Sequence, residues 1–338
     1  MIRVGVVGAG VMGRNHLRIL SDLEGVQLVA VCDADRRAVE PAAQLRRIRG
    51  YLSSWEMLSR EDLTFVVIAA PTKYHHRLTL EALEKGCHVL VEKPIAADLA
   101  QARQMVSVAA RQGLTLAVGQ IERFNPAVRE LKRLLDQGYL GRIFQIRALR
   151  LGPFPTRIRD VGVVADLATH DLDVMTYLLG RRVVRMYSET HSKINTQHED
   201  MVNAVLKFED GVIGVLDVNW LTPTKVRQLN VLGERGMFQL NYLTPELLYF
   251  ENTEVPANGN GAFTGVSEGN MTRFQIRQTE PLRAELLSVL RSISQRTPPE
   301  VDGDAGYNAL ALALSLVSAG EEGRVIEFTD SLAAVPAR

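Results

Sequence analysis

Three glycines near the start of the chain limit its possible folds more than any other feature: Gly8-x-Gly10-x-x-Gly13. The pattern alone is weak, but its setting is the required one. A short β-branched run, residues 4–7, precedes it, and a helix-compatible run, 14–20, follows. In a strand–turn–helix each glycine has its own task. Gly8 permits the tight turn, Gly10 lets the backbone approach a pyrophosphate, and Gly13 lets helix pack closely on strand. The helix start at Val11 and Met12 then offers unpaired N–H groups and a positive dipole end to phosphate.

Asp33 stands twenty positions after Gly13, at the end of the apolar run 27–32. An acid there hydrogen-bonds the adenosine ribose and repels a 2′-phosphate, so NAD is favoured over NADP. Arg36 and Arg37 offer the opposing reading, a phosphate clamp, or else a solvated helix face. Further strands are predicted over 65–70, 87–91 and 115–119. Helices are predicted over 35–44, where Pro41 could shorten the helix, and over 55–59, 75–85 and 98–112. This alternation implies a Rossmann-type, doubly wound parallel sheet. Ligands bind beyond the carboxyl ends of such strands. Ala70, Thr72, His75, Glu92, Lys93 and Gln120 all fall at such ends. Lys93 reads either as a donor to a substrate hydroxyl or as a surface lysine with a packed stem.

A length of 338 residues allows two domains, with the break expected after Gln120 (1–120 and 121–338). The second half starts with a predicted helix, 126–137, and a strand, 142–151. A helix through 166–179 sets Asp166 and His170 at i and i+4, on one face. A carboxylate beside an imidazole orients it and raises its basicity, which suits a general base. The alternative is a helix start with Asp166 as N-cap and His170 in the core. Strands are then predicted over 183–191, 201–208, 212–219, 226–232, 237–242 and 247–250. Hairpin signals at 209–211 and 233–236 imply a large, open, mainly antiparallel sheet in an α+β domain. A mobile loop is expected over 252–270, helices over 279–294 and 304–319, and a strand over 325–328. The open sheet face suits a homodimer or homotetramer.

Formal net charge is zero, so nothing suggests a nucleic-acid partner. No apolar run reaches membrane-spanning length and no signal peptide is read, which points to the cytoplasm. The two cysteines, Cys32 and Cys87, fall in or beside buried strands and read as reduced core residues rather than a metal site.

Taken together, VGAGVMGRNH (7–16), APTKYHH (70–76), EKP (92–94) and the Asp166-x-x-x-His170 pair resemble the Gfo/Idh/MocA family of NAD(P)-dependent oxidoreductases. The likeness covers nearly the whole chain, with Ala168 where many members carry glycine. It implies that Lys93, Asp166 and His170 surround the reacting carbon of a sugar or cyclitol. It also implies contacts of the 71–72 turn and His75 near the nicotinamide ribose. GQIERFNPAV (119–128) and DVGVVAD (160–166) resemble those members that oxidise the C3 hydroxyl of UDP-N-acetylglucosamine. Residues 137–159 agree: five arginines (142, 147, 150, 157, 159) and no acid, which suits a diphosphate, the alternative being scattered surface arginines. Strand alternation sets Arg147 opposite to Arg142 and Arg150, so Arg157 and Arg159 are the favoured ligands.

The implied reaction is oxidation of a secondary hydroxyl to a ketone. His170 takes the proton, Asp166 orients His170 and Lys93 stabilises the alkoxide, or His170 and Lys93 exchange roles, with Arg123 and Asn125 positioning the substrate. Three other readings stay open: a free sugar or cyclitol as substrate, a redox-neutral glycoside cleavage using bound NAD, and an NAD(H)-responsive regulatory protein.

Overall fold

The computed structural model describes residues 1–155, 161–194, 197–254 and 266–328. They form two compact units, Met1–Ile121 with Glu280–Leu310, and Glu122–Thr279 with Ala311–Arg338. The expected single break after Gln120 therefore misplaces residues 280–310, which return to the first unit.

The first unit begins with β1 (Ile2–Val7), α1 (Val11–Leu20), β2 (Val26–Cys32), α2 (Arg36–Arg46), β3 (Arg49–Tyr51) and α3 (Ser54–Arg60). It continues with β4 (Phe65–Ile68), α4 (His75–Glu84), β5 (His88–Glu92), α5 (Leu99–Gln112) and β6 (Leu116–Gly119). The strands are parallel, in the order β3-β2-β1-β4-β5-β6. This is the doubly wound arrangement, and the strand order reverses at β1/β4. β4 and β6 are buried at every residue, as sheets covered on both faces require. Local signals end the helices where the sequence sets them. Asp98 accepts from Gln101 N at the start of α5, and Gly113, at φ 65°, closes it. Pro41 does not shorten α2, which runs on to Arg46 with Val39, Ala42 and Ala43 buried. The three-residue edge strand β3 is too short for a periodicity signal.

In the second unit, α6 (Pro126–Asp136), β7 (Ile143–Pro153) and α7 (Thr169–Leu179) precede a run of strands. These are β8 (Val183–His191), β9 (Met201–Phe208), β10 (Ile213–Asn219), β11 (Leu221–Gly233), β12 (Gly236–Asn241), β13 (Glu246–Glu254) and β14 (Val266–Phe274). The sheet is antiparallel except that β10 pairs with β7 in parallel. The expected loop over 252–270 is corrected: β13 reaches Glu254 and β14 starts at Val266. β14 is an edge strand rich in polar residues, which hides its alternation in the sequence. One sheet face is core: Ile146 and Ala148 of β7, Leu216 and Val218 of β10, and Leu229 and Val231 of β11 pack with Leu172 and Met175 of α7. The opposite face leaves Val205 and Ile213 exposed.

The chain then forms α8 (Pro281–Gln295), α9 (Gly303–Glu322) and β15 (Ile326–Glu327), which pairs with β8. α8 belongs to the first unit, where Leu282, Leu286, Val289 and Ile293 pack with Leu17 and Leu20 of α1. Among these apolar residues sits Glu285, 1% exposed. Neither of its carboxyl oxygens meets a hydrogen-bond donor among the described residues. Burial, and then the charge of Glu92, push its pKa well above the usual carboxylate range. The native state thus keeps a proton that the unfolded chain loses above about pH 4.5. Over that window stability falls as pH rises. Glu285→Gln removes this loss. Its melting temperature is expected to exceed the parent's by a margin that widens from about pH 5 to about pH 8. Thermal melts at both values check this, and a constant margin would contradict it.

Candidate active site

The glycine loop connects β1 to α1. Gly8 has φ +105°, and a Cβ there would lie 2.3 Å from Ala69 O. At Gly13 a Cβ would lie 1.9 Å from Gly8 O, so only glycine allows α1 to pack this close. Gly10 faces open space, with no heavy atom within 4 Å of its Cβ position. It is also the N-cap of α1 and makes no side-chain cap, so the helix start offers its N–H groups outward. Asp33 closes the loop from β2: its Oδ2 accepts from Ala9 N at 2.7 Å and its Oδ1 from Asp35 N at 2.9 Å. A positive helix end, an open glycine and a carboxylate beside them fit a dinucleotide with a free ribose diol.

The next two strand ends carry the other predicted cofactor residues. Thr72 opens a 3-10 turn, Thr72–Tyr74. His75 is 1% exposed, with Nδ1 2.8 Å from Pro94 O and Nε2 2.8 Å from Ala70 O. Burial pushes its pKa down. It braces the loop after β4 against the loop after β5, so its effect on a ribose is through those loops. Glu92 ends β5, with its Oε1 2.8 Å from His16 Nε2 of α1. Lys93 follows, half-buried, and the Lys93–Pro94 bond is cis. Gln120 is buried beyond the end of β6.

The second unit holds the other predicted residues. The helix leading to α7 starts with a π-helical turn, Val164–Ala168, a local widening common at functional sites. Glu199 covers its start: Val163 N donates to Glu199 O at 2.8 Å and Val164 N to Glu199 Oε1 at 3.0 Å. A Cβ on Gly162 would lie 2.0 Å from Glu199 Oε1, so a larger residue there would displace this carboxylate. Asp166 is therefore inside the helix and is not its N-cap. Asp166 and His170 are both half-buried.

Two predicted substrate residues have structural partners instead. Arg123 gives Nε and Nη2 to the carboxylate of Asp173, at 2.7 and 2.6 Å, and so holds α7. Asn125 is buried and caps α6 through Ala127 N. Arg157 and Arg159 lie outside the described residues. Of the other arginines in that segment, Arg142 and Arg147 are exposed, while Arg150 is only 4% exposed. Arg150 donates to both Asp171 oxygens, at 2.7 and 3.0 Å, and to Glu122 Oε1 at 3.1 Å. Burial opposes its charge, but Asp171 and Glu122 outweigh that and raise its pKa. It is spent on the core and does not serve a diphosphate. Its alternation with Ile146 and Ala148 was the available sign of an inward face.

Sequence reasoning also missed Arg227 of β11. This residue is half-buried and lies in the electrostatic reach of Asp166. Its only sequence sign is a charge alternating with inward Leu229 and Val231.

These features define an NAD-binding oxidoreductase, and the comparisons with known proteins agree. Residues 2–120 match the model described as oxidoreductase family, NAD-binding Rossmann fold, and 128–239 the GFO/IDH/MocA C-terminal domain. The chain belongs to the Gfo/Idh/MocA family of dehydrogenases, which act on sugars and related polyols. It is 29% identical over 316 residues to a UDP-N-acetylglucosamine 3-dehydrogenase from Acidithiobacillus ferrooxidans, covering 93% of this chain and 96% of that one. A solved structure of that enzyme, GnnA, superposes with a TM-score of 0.84 at 27% identity, over 95% of this chain and 98% of that one. A D-apiose dehydrogenase from Paraburkholderia graminis is 29% identical, over 98% of this chain and 91% of its own. A myo-inositol 2-dehydrogenase from Thermotoga maritima is 23% identical, over 97% of this chain and 99% of its own. No helix among the described residues is long and apolar enough to cross a membrane.

Proposed function

We propose that the chain oxidises a secondary hydroxyl of a nucleotide sugar to a ketone, with the C3 hydroxyl of UDP-N-acetylglucosamine as the favoured target. Bound NAD supplies the hydride acceptor. His170 takes the hydroxyl proton as general base. Asp166, one turn earlier, orients that imidazole and stabilises its cation. Lys93 donates to the same oxygen and stabilises its growing negative charge. Glu92, held by His16, and His75, set between the carbonyls of Ala70 and Pro94 with one N–H to donate, keep the neighbouring loops in place. The observation that carries the substrate assignment is the near full-length likeness to the UDP-N-acetylglucosamine 3-dehydrogenase.

The apiose and inositol relatives favour a second reading, a free sugar or cyclitol as substrate. Initial rates of NADH formation with UDP-N-acetylglucosamine, D-apiose and myo-inositol separate the two. The first reading expects the nucleotide sugar to give the highest kcat/KM. The highest value with either free polyol would replace it. NADH that accumulates in step with product also separates oxidation from a redox-neutral cleavage. The exposed sheet face around Val205 and Ile213 suits a second copy of the chain. Sedimentation should then show a dimer or tetramer, and a monomer would contradict this.

A further inference from the structure

Arg227 on β11 is paired directly across from Arg150 on β7. Like charges so placed repel unless each is compensated. Arg150 is compensated in full by Asp171 and Glu122. Arg227 is held differently. Its Nη1 donates to Leu151 O at 2.6 Å and Val226 O at 3.0 Å, which fixes the guanidinium plane. No carboxylate lies within ion-pair distance of it, and Nε and Nη2 meet no acceptor, among the described residues. The backbone at Gly152 brings no side chain against it, since a Cβ there would lie 3.8 Å from Nη2. Half of a rigid donor fork is thus fixed to the protein and half is unspent.

The surrounding charges select the ligand. Arg150 and Arg227 balance Asp171 and Glu122, and Asp166 adds a further negative charge acting on Arg227. An oxyanion placed on this fork would meet the Asp166 field. Uncharged oxygens would not, and they still gain charge-assisted hydrogen bonds. Burial, and then Arg150, push the Arg227 pKa down, and acceptors on Nε and Nη2 favour its charged form. The reach of Asp166 ties the fork to the region of the reacting carbon.

We propose that Arg227 is a substrate-recognition residue that holds two neighbouring uncharged hydroxyls of the sugar through Nε and Nη2. The proposal rests on the polyol dehydrogenase reading, and does not depend on which polyol reacts.

Calorimetric titration of the full-length, NADH-loaded protein tests it, using UDP-N-acetylglucosamine, its C6 uronate, UDP alone and myo-inositol. The parent is expected to bind at least one of the two uncharged polyols. Arg227→Met should weaken that binding by about 100-fold or more, the loss of two charge-assisted hydrogen bonds. Affinity for UDP alone and for NADH should stay unchanged. If Arg227→Met lowers NADH affinity, Arg227→Lys carries the comparison. It keeps the charge but not the fork, and should still lose about 10-fold or more on the polyol. Unchanged polyol affinity in the variant would overturn the proposal, as would a parent that binds neither uncharged polyol. So would an equal loss for UDP alone, which assigns the fork to the diphosphate. A loss confined to the uronate would assign it to a carboxylate and overturn it as well. If myo-inositol binds and is weakened while UDP-N-acetylglucosamine does not bind, the nucleotide-sugar reading fails and this proposal stands.

Discussion

Replacing His170 with asparagine lowers kcat by about 10²- to 10⁴-fold, the usual worth of a general base, and leaves NADH affinity unchanged. The glycine loop, Asp33 and the start of α1 hold the cofactor's pyrophosphate and ribose, and the substitution leaves them unchanged. His170 is in α7 of the second unit, whereas the glycine loop, Asp33 and α1 are in the first. Asparagine retains hydrogen-bonding capacity at the position but cannot accept the proton. The π-helical turn and its Glu199 cover precede position 170 and should keep their form. Stopped-flow turnover together with NADH fluorescence titration checks both halves. Turnover within threefold of the parent would remove His170 from the proton transfer. A parallel loss of NADH affinity would instead mean that the substitution disturbs the fold.

Asp171→Ala should destabilise the protein by about 3–5 kcal/mol, because it leaves a buried guanidinium short of a partner. Asp171 is 1% exposed and receives two bonds from Arg150, which lies over the ring of Tyr242 at 5.2 Å. Burial pushes the Asp171 carboxyl up, and the facing guanidinium pulls it only part of the way back. Glu122 remains at 3.1 Å from Arg150 in the variant and limits the loss. Removing both sides restores part of it: Asp171→Leu with Arg150→Met should be more stable than Asp171→Ala. Urea denaturation of the three proteins reads this order. If Asp171→Ala unfolds at the parent's midpoint, the pair does not hold α7 to β7.

The first unit was legible because its signals are local. Gly8 and Gly13 each answer to one backbone contact, Gly10 leaves open space, and β4 and β6 are continuous apolar runs. Asp98 and Gly113 bracket one helix. The strands β8 to β12 were legible for a similar reason, since turns and alternation repeat over short distances. What was hidden depends on partners remote in sequence. Arg123 reads as a substrate donor until Asp173, fifty residues on, takes its fork. Arg150 reads as part of a phosphate-binding segment until Asp171 and Glu122 claim it. Residues 280–310 look like part of the second half, and only the packing of Leu282, Leu286 and Val289 assigns them to the first unit. Glu285 left no sign, because one acid in an amphipathic helix normally points to water.

The central claim is that the hydride leaves one particular carbon of a nucleotide sugar. UDP-N-acetylglucosamine carrying deuterium at C3 tests it most directly. Incubated with NAD and the enzyme, it should give reduced cofactor one mass unit heavier than that from unlabelled substrate. Reduced cofactor that carries no deuterium would contradict the account, because the hydride would then have come from another position.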